Sequence, residues 1–251
     1  MLVTKKFVPS LFTILNAFCG FMSIVNSSNG YFEQASAFIV YAAIFDVLDG
    51  LVARILKTSS DFGVELDSLS DMISFGAAPS FLLYSIHFKD FNSYGIIVSS
   101  MIMVFAAIRL ARFNITLVGY DKDKFSGLPT PAAAITVITY IYFCHNKLFS
   151  PELSNVSINV VALGLPLLMV SKFKYPAFPK LTASAVKRNP LPFILILISI
   201  IIAVATKGLA IFFICVAFVL GGIIWSLFVQ LTKKKKPEVR VVPKKTRNNK
   251  H

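Results

Sequence analysis

Four aspartates, Asp46, Asp49, Asp67 and Asp71, interrupt sequence that is otherwise apolar. An isolated charge at mid-bilayer depth costs a few kcal/mol even on lenient scales, so four acids on two consecutive apolar segments require a cation or a water-filled cavity. Asp46 and Asp49 are three residues apart, which sets them about 60° apart around a helix. Gly50, Ala53 and Arg54 extend that stripe. Gly63, Asp67 and Asp71 follow one another at steps of four, a stripe that drifts by about 40° per step. The short linker 57–62 makes the two helices antiparallel neighbours, and Ser60 or Asp61 can cap the second. The four carboxylates are therefore expected to converge from facing stripes. Such an all-oxygen donor set suits Mg²⁺, Mn²⁺ or Ca²⁺ rather than zinc. Gly50, Ala53 and Gly63 leave room beside the acids for a flat base or sugar. Helix packing alone accounts for one or two small residues, not for their alternation with acids on both stripes. Arg54 adds a cation next to the metal, which points to a phosphate-bearing ligand.

The elements that carry these residues follow from composition. The chain has 251 residues, 56% hydrophobic and 15% charged, with mean hydropathy +0.73. A soluble domain usually carries about 25% charge, so an all-α, polytopic membrane bundle is expected. Apolar segments at 9–25, 31–56, 64–86, 94–113, 130–149, 156–170, 191–205 and 209–231 predict about eight transmembrane helices in one domain, 1–231. The first holds Asn16 and Gly20 and lacks a small-x-small cleavage site, so it reads as a retained helix and not a signal peptide.

Basic residues set the expected orientation. With a cytoplasmic amino terminus, the outer loops contain only Lys89, Lys147 and Lys207, and the other 22 of the 25 Lys and Arg fall on the cytoplasmic side. Both termini are then cytoplasmic. Residues 232–251 read as a disordered basic tail, with nine cations from Lys233 onward against the single acid Glu238. Its expected roles are a topology signal and attraction to anionic membrane lipids. It has neither interleaved aromatics nor a folded module, so no nucleic acid is expected as a partner. Cys19, Cys144 and Cys215 are scattered in apolar runs and read as buried spectator thiols. The histidines fall in polar loops or at the last residue, so a histidine-based site is not expected.

Asp46-x-x-Asp49-Gly50-x-x-Ala53-Arg54, then eight residues, then Gly63-x-x-x-Asp67-x-x-x-Asp71 resembles the full signature of the CDP-alcohol phosphotransferase family. Every fixed position and spacing is filled. Three further segments resemble the integral-membrane phosphatidylserine synthase branch of that family: Phe12 to Gly20, Arg109-Leu-Ala-Arg112-Phe-Asn114, and Phe125-Ser-Gly-Leu-Pro129-Thr-Pro131. Ser171-Lys-Phe-Lys-Tyr175-Pro176 does so too. The resemblance covers about residues 5 to 180 and leaves the last two helices less diagnostic.

The resemblance implies a metal-dependent enzyme of the membrane, a homodimer, with its active site facing the cytoplasm. It implies CDP-diacylglycerol and L-serine as substrates. Asp46, Asp49 and Asp67 would hold Mg²⁺ or Mn²⁺, and Asp71 would complete a two-metal cluster or stand free as the catalytic base. Asn16, Asp49, Gly50, Ala53, Arg54 and Gly63 would line the nucleotide and its diphosphate. Whether Asn16 and Thr13 bind phosphate or make a packing contact is open at this point. Arg109 and Arg112 are candidates for the serine carboxylate, against the alternative that they snorkel to lipid headgroups. Glycerol 3-phosphate, inositol phosphate and archaeal ether lipids remain rival substrates, because the signature is common to them. A cation transporter is the rival from another class; it would show internal repeats and broken helices in matching halves, whereas these acids are confined to one helix pair.

Overall fold

The computed structural model describes residues 2–56, 60–118, 127–173, 175 and 190–232. The basic tail from residue 233, the linker 57–59 and most of the 171–190 loop lie outside them. The described residues form helices and no strand: α1 (Leu2–Ser28), α2 (Phe32–Leu56), α3 (Asp61–Asp71), a π-helical segment (Met72–Ala77), α4 (Ala78–Ile86), a 3₁₀ turn (Phe88–Phe91), α5 (Asn92–Val118), α6 (Thr130–Thr139), a second π-helical segment (Tyr140–Leu148), α7 (Pro151–Val170), α8 (Leu191–Ala205) and α9 (Leu209–Thr232).

All eight apolar segments fall in helical runs, and among the described residues five runs are both long and apolar enough to cross a membrane: Ser10–Ser28, Phe32–Leu56, Phe88–Ile115, Pro151–Val170 and Leu209–Val229. The runs 61–86 and 130–148 are each interrupted by a π segment. The α8 helix has 15 residues, about 22 Å against a hydrocarbon core of about 30 Å. For the first π segment the sequence offers a cause. Pro79 has no N–H to give to the carbonyl of Phe75, and its ring would collide with that carbonyl in a regular α-helix. The backbone widens instead, and Ala78 N–H bonds to the Ile73 carbonyl, five residues back.

The first two helices form an antiparallel pair closed by a tight turn in which Gly30 takes φ +80°, a left-handed conformation that glycine adopts without a Cβ penalty. α1 also lies against α3, the first π segment and α4. Gly20 permits that approach: a Cβ there would stand 2.7 Å from Ser74 Cα and 2.9 Å from Ser74 N. The core between the helices holds Ile39, Phe75, Leu82, Leu83, Ile102 and Val137, all buried. Facing outward on α8 are Leu195, Leu197, Ile198 and Ile201, all exposed, an apolar surface of the kind that lipid covers.

At the amino end of α6, the Gly127 amide donates to the Phe173 carbonyl (2.8 Å) and the Leu128 amide to the Leu168 carbonyl (2.9 Å), which seats this segment on the end of α7. Tyr175 packs its ring on Gly222 of α9, and its hydroxyl donates to the Val219 carbonyl at 3.3 Å. One expectation needs correction. His145 is in the second π segment rather than a polar loop, buried, with Nδ1 3.4 Å from the Tyr140 hydroxyl. That end of the bundle is opposite to the aspartates.

Candidate active site

The acids come together where α2 ends and α3 begins. Ser60 caps α3 by accepting a hydrogen bond from the Gly63 amide at 3.1 Å, satisfying one of the free N–H groups of the first turn. A Cβ on Gly63 would stand 3.2 Å from that Ser60 hydroxyl oxygen, so the cap makes use of the small residue at 63. From this start the helical repeat turns Asp67 toward α2. Asp46, Asp49 and Asp67 each offer a carboxylate oxygen, and the three oxygens lie within 4.8 Å of one another. Asp49 is buried while Asp46 and Asp67 are half-buried.

Asp71 stands one turn beyond and is not part of that trio. It is buried, and its Oδ1 accepts a hydrogen bond from Asn16 Nδ2 at 3.2 Å. Asp49 has a similar tie: Thr13 donates its hydroxyl to Asp49 Oδ2 at 2.9 Å. Thus α1 supplies two neutral donors to two of the four carboxylates. The two donors are Thr13 and Asn16. Both touch the acids, and Asn16 keeps a buried Oδ1 with no hydrogen-bond partner among the described residues.

The remaining residues divide. Arg54 is exposed and its Nε donates to the Gly50 carbonyl at 2.8 Å on its own helix. Beside Gly50 the space is open, since a Cβ there would meet only Arg54 Nη2, 4.0 Å away. Ala53 is half-buried on the same stripe. On α5, Arg109 donates from Nη1 to the Thr130 hydroxyl at 2.8 Å and lies within electrostatic reach of Asp71. Its Nε is buried without a hydrogen-bond partner among the described residues. Arg112 turns elsewhere. It is exposed, and its Nη1 donates to the Val170 carbonyl at 3.0 Å, at the carboxyl end of α7, a place where a cation complements the free carbonyls.

The residues present fit a hard divalent cation. The donors are all carboxylate oxygens, and Asp67 Oδ1 is buried with no hydrogen-bond partner among the described residues, an arrangement that is costly unless something positive completes it. Asp46, Asp49 and Asp67 are the residues that would hold such an ion.

Fold and site together define a polytopic helical membrane protein with an oxygen-donor cluster at one end of the bundle. Residues 6–171 match the CDP-alcohol phosphatidyltransferase family, and the chain belongs to that family. Its relatives include a CDP-diacylglycerol–serine O-phosphatidyltransferase of Helicobacter pylori, 38% identical over 89% of this chain and 92% of the relative. An archaetidylserine synthase of Methanothermobacter thermautotrophicus is 38% identical over 70% of this chain and 72% of its own. A CDP-diacylglycerol–serine O-phosphatidyltransferase of Bacillus subtilis is 33% identical over 70% of this chain and 93% of its own. The family match ends before α8 and α9.

Proposed function

We propose that the protein transfers the phosphatidyl group of CDP-diacylglycerol to the hydroxyl of L-serine, giving phosphatidylserine and CMP. The observation that carries this reading is the meeting of Asp46, Asp49 and Asp67 oxygens within 4.8 Å, in a chain 38% identical over most of its length to a protein of that name. Asp46, Asp49 and Asp67 would hold Mg²⁺ or Mn²⁺, which when bound would supply positive charge to the diphosphate and to the departing CMP.

The chain's own residues do the rest. Gly50, Ala53 and Gly63 leave the space for the nucleotide, with Arg54 at its open edge. Asn16, bonded to Asp71, has an acceptor oxygen to spare for a donor group of the nucleotide. Asp71 takes the proton from the serine hydroxyl as that oxygen forms its bond to the phosphatidyl phosphorus and the bond to CMP breaks. The displacement is direct, by the serine oxygen on the phosphorus. Arg109, held by Thr130 with its Nε side free, is the anchor for the serine carboxylate. Arg112 secures α7 behind it.

The active site faces the cytoplasm with both termini on that side, a reading supported by the 22 of 25 basic residues placed there. About eight crossings make one membrane-embedded domain, 1–231, followed by a basic tail that touches anionic lipids. The assembly is a homodimer. The archaetidylserine synthase relative supports a second reading, in which an ether lipid replaces the diacyl lipid.

The test is competition. Purified protein is given CDP-diacylglycerol or its ether analogue with serine, glycerol 3-phosphate and inositol phosphate together, and the lipid product is identified. Phosphatidylserine alone upholds the assignment. A glycerol- or inositol-phosphate product replaces it.

A further inference from the structure

The motif Arg109-x-x-Arg112-x-Asn114 sends three side chains from the end of α5 to three different helices. Arg109 reaches Thr130 of α6 and Arg112 reaches Val170 of α7. Asn114 reaches α3: its Nδ2 donates to Ser68 Oγ at 3.0 Å and approaches Glu65 Oε2 at 3.4 Å, and Ser68 can donate in return to Asn114 Oδ1 at 3.2 Å. Ser68 directly follows Asp67 in the chain. Glu65, Ser68 and Asp71 follow one another at steps of three, about 60° apart around the helix, while Asp67 lies about 100° round from Ser68.

α3 has only 11 residues, and Phe62, Val64, Glu65 and Leu69 on it are exposed, so packing alone holds its rotation weakly. It also runs directly into the π segment Met72–Ala77. A π turn holds one more residue than an α turn. Its loss or migration would rotate α3 by about 100° against α4, carrying Asp67 away from Asp46 and Asp49. Two side-chain tethers oppose such a rotation, Asn16 to Asp71 from the α1 side and Asn114 to Ser68 from the α5 side.

We infer that Asn114, paired with Ser68, is a positioning residue that fixes the rotation of α3 and thereby the geometry of the carboxylate cluster toward its cation. The inference rests on the proposed metal site and gives Asn114 a role there without contact with substrate or ion.

Direct Mn²⁺ binding to the purified protein in detergent, read by calorimetry or by the EPR signal of free Mn²⁺, tests it. Asn114→Leu and Ser68→Ala should each weaken Mn²⁺ binding about three- to tenfold, the range for one lost neutral hydrogen bond. The double variant should be no weaker than either single one, because both remove the same link. Ser68→Thr, which keeps the hydroxyl, should bind as the wild type does. Unchanged Mn²⁺ affinity in the single variants, or losses that add in the double variant, would overturn the inference while leaving the metal site standing. Absence of Mn²⁺ binding in the wild type would remove the metal site itself, and this role with it.

Discussion

Asn16 on the first helix and Asp71 on the third, 55 residues apart in sequence, meet in a buried hydrogen bond of 3.2 Å from amide to carboxylate. The bond ties α1, which carries none of the four acids, to the acidic stripe of α3. In the proposed reaction Asp71 is the base, and Asn16 is the neutral side chain that holds its carboxylate in place.

Asn16→Ala removes that donor. A hydrogen bond to a charged group contributes about 1.5–3 kcal/mol, so kcat/KM for CMP release should fall by roughly ten- to a hundredfold. Mn²⁺ binding at Asp46, Asp49 and Asp67 should change much less. A comparable loss of Mn²⁺ binding would show that Asn16 supports the cluster as a whole and not Asp71 in particular.

The proposed roles of Asp67 and Asp71 can be told apart. Asp67→Asn should weaken both Mn²⁺ binding and turnover, since a neutral amide is a poorer ligand for a divalent cation. Asp71→Asn should retain metal and CDP-diacylglycerol binding while the chemical step falls by about 10²–10⁴-fold. Calorimetry reports the first quantity and CMP release the second. Loss of metal binding in Asp71→Asn as complete as in Asp67→Asn would place all four acids in one metal cluster.

The acids were legible in the sequence because a carboxylate in an apolar helix is too costly to be incidental, and helical spacing alone put them on facing stripes. Thr13 and Asn16 were not resolved. Neutral polar side chains in membrane helices commonly serve packing, and nothing in the spacing of α1 reveals which of them meets an acid. The Asn114–Ser68 pair spans 46 residues and depends on how α5 crosses α3, a packing outcome with no local signal. The π segment at Met72–Ala77 left a mark in Pro79, but hydropathy does not distinguish a widened turn from a regular one. His145 lies just before the polar pair Asn146 and Lys147, which reads as a loop, while its partners Tyr140 and His87 come from packing.

The two arginines should respond differently. Arg109→Lys loses the planar fork, so the KM for serine should rise several-fold more than the KM for CDP-diacylglycerol. Arg112→Lys loosens the end of α7, and both KM values should shift together with a lower thermal midpoint. Equal effects of Arg109→Lys on the two substrates would remove it from the acceptor site.

Close packing of α1 on the π segment predicts that Gly20→Val is destabilising. Its Cβ would stand 2.7 Å from Ser74 Cα, and overpacking of this kind costs about 1–3 kcal/mol. The thermal midpoint in detergent should drop, with Asp71 displaced and turnover reduced at temperatures where the variant remains folded. An unchanged midpoint would mean that α1 and the π segment are not packed this closely.

The central claim is a metal-dependent displacement of CMP by serine at the Asp46, Asp49 and Asp67 cluster, and its most direct measurement is the stoichiometry of CMP release by the purified protein. With CDP-diacylglycerol, Mn²⁺ or Mg²⁺ and serine, CMP and phosphatidylserine should appear in equal amounts. Release should stop when serine is omitted, when EDTA removes the cation, or when Asp67 is replaced by Asn. CMP release that needs neither serine nor a divalent cation, or that survives Asp67→Asn undiminished, would contradict the account.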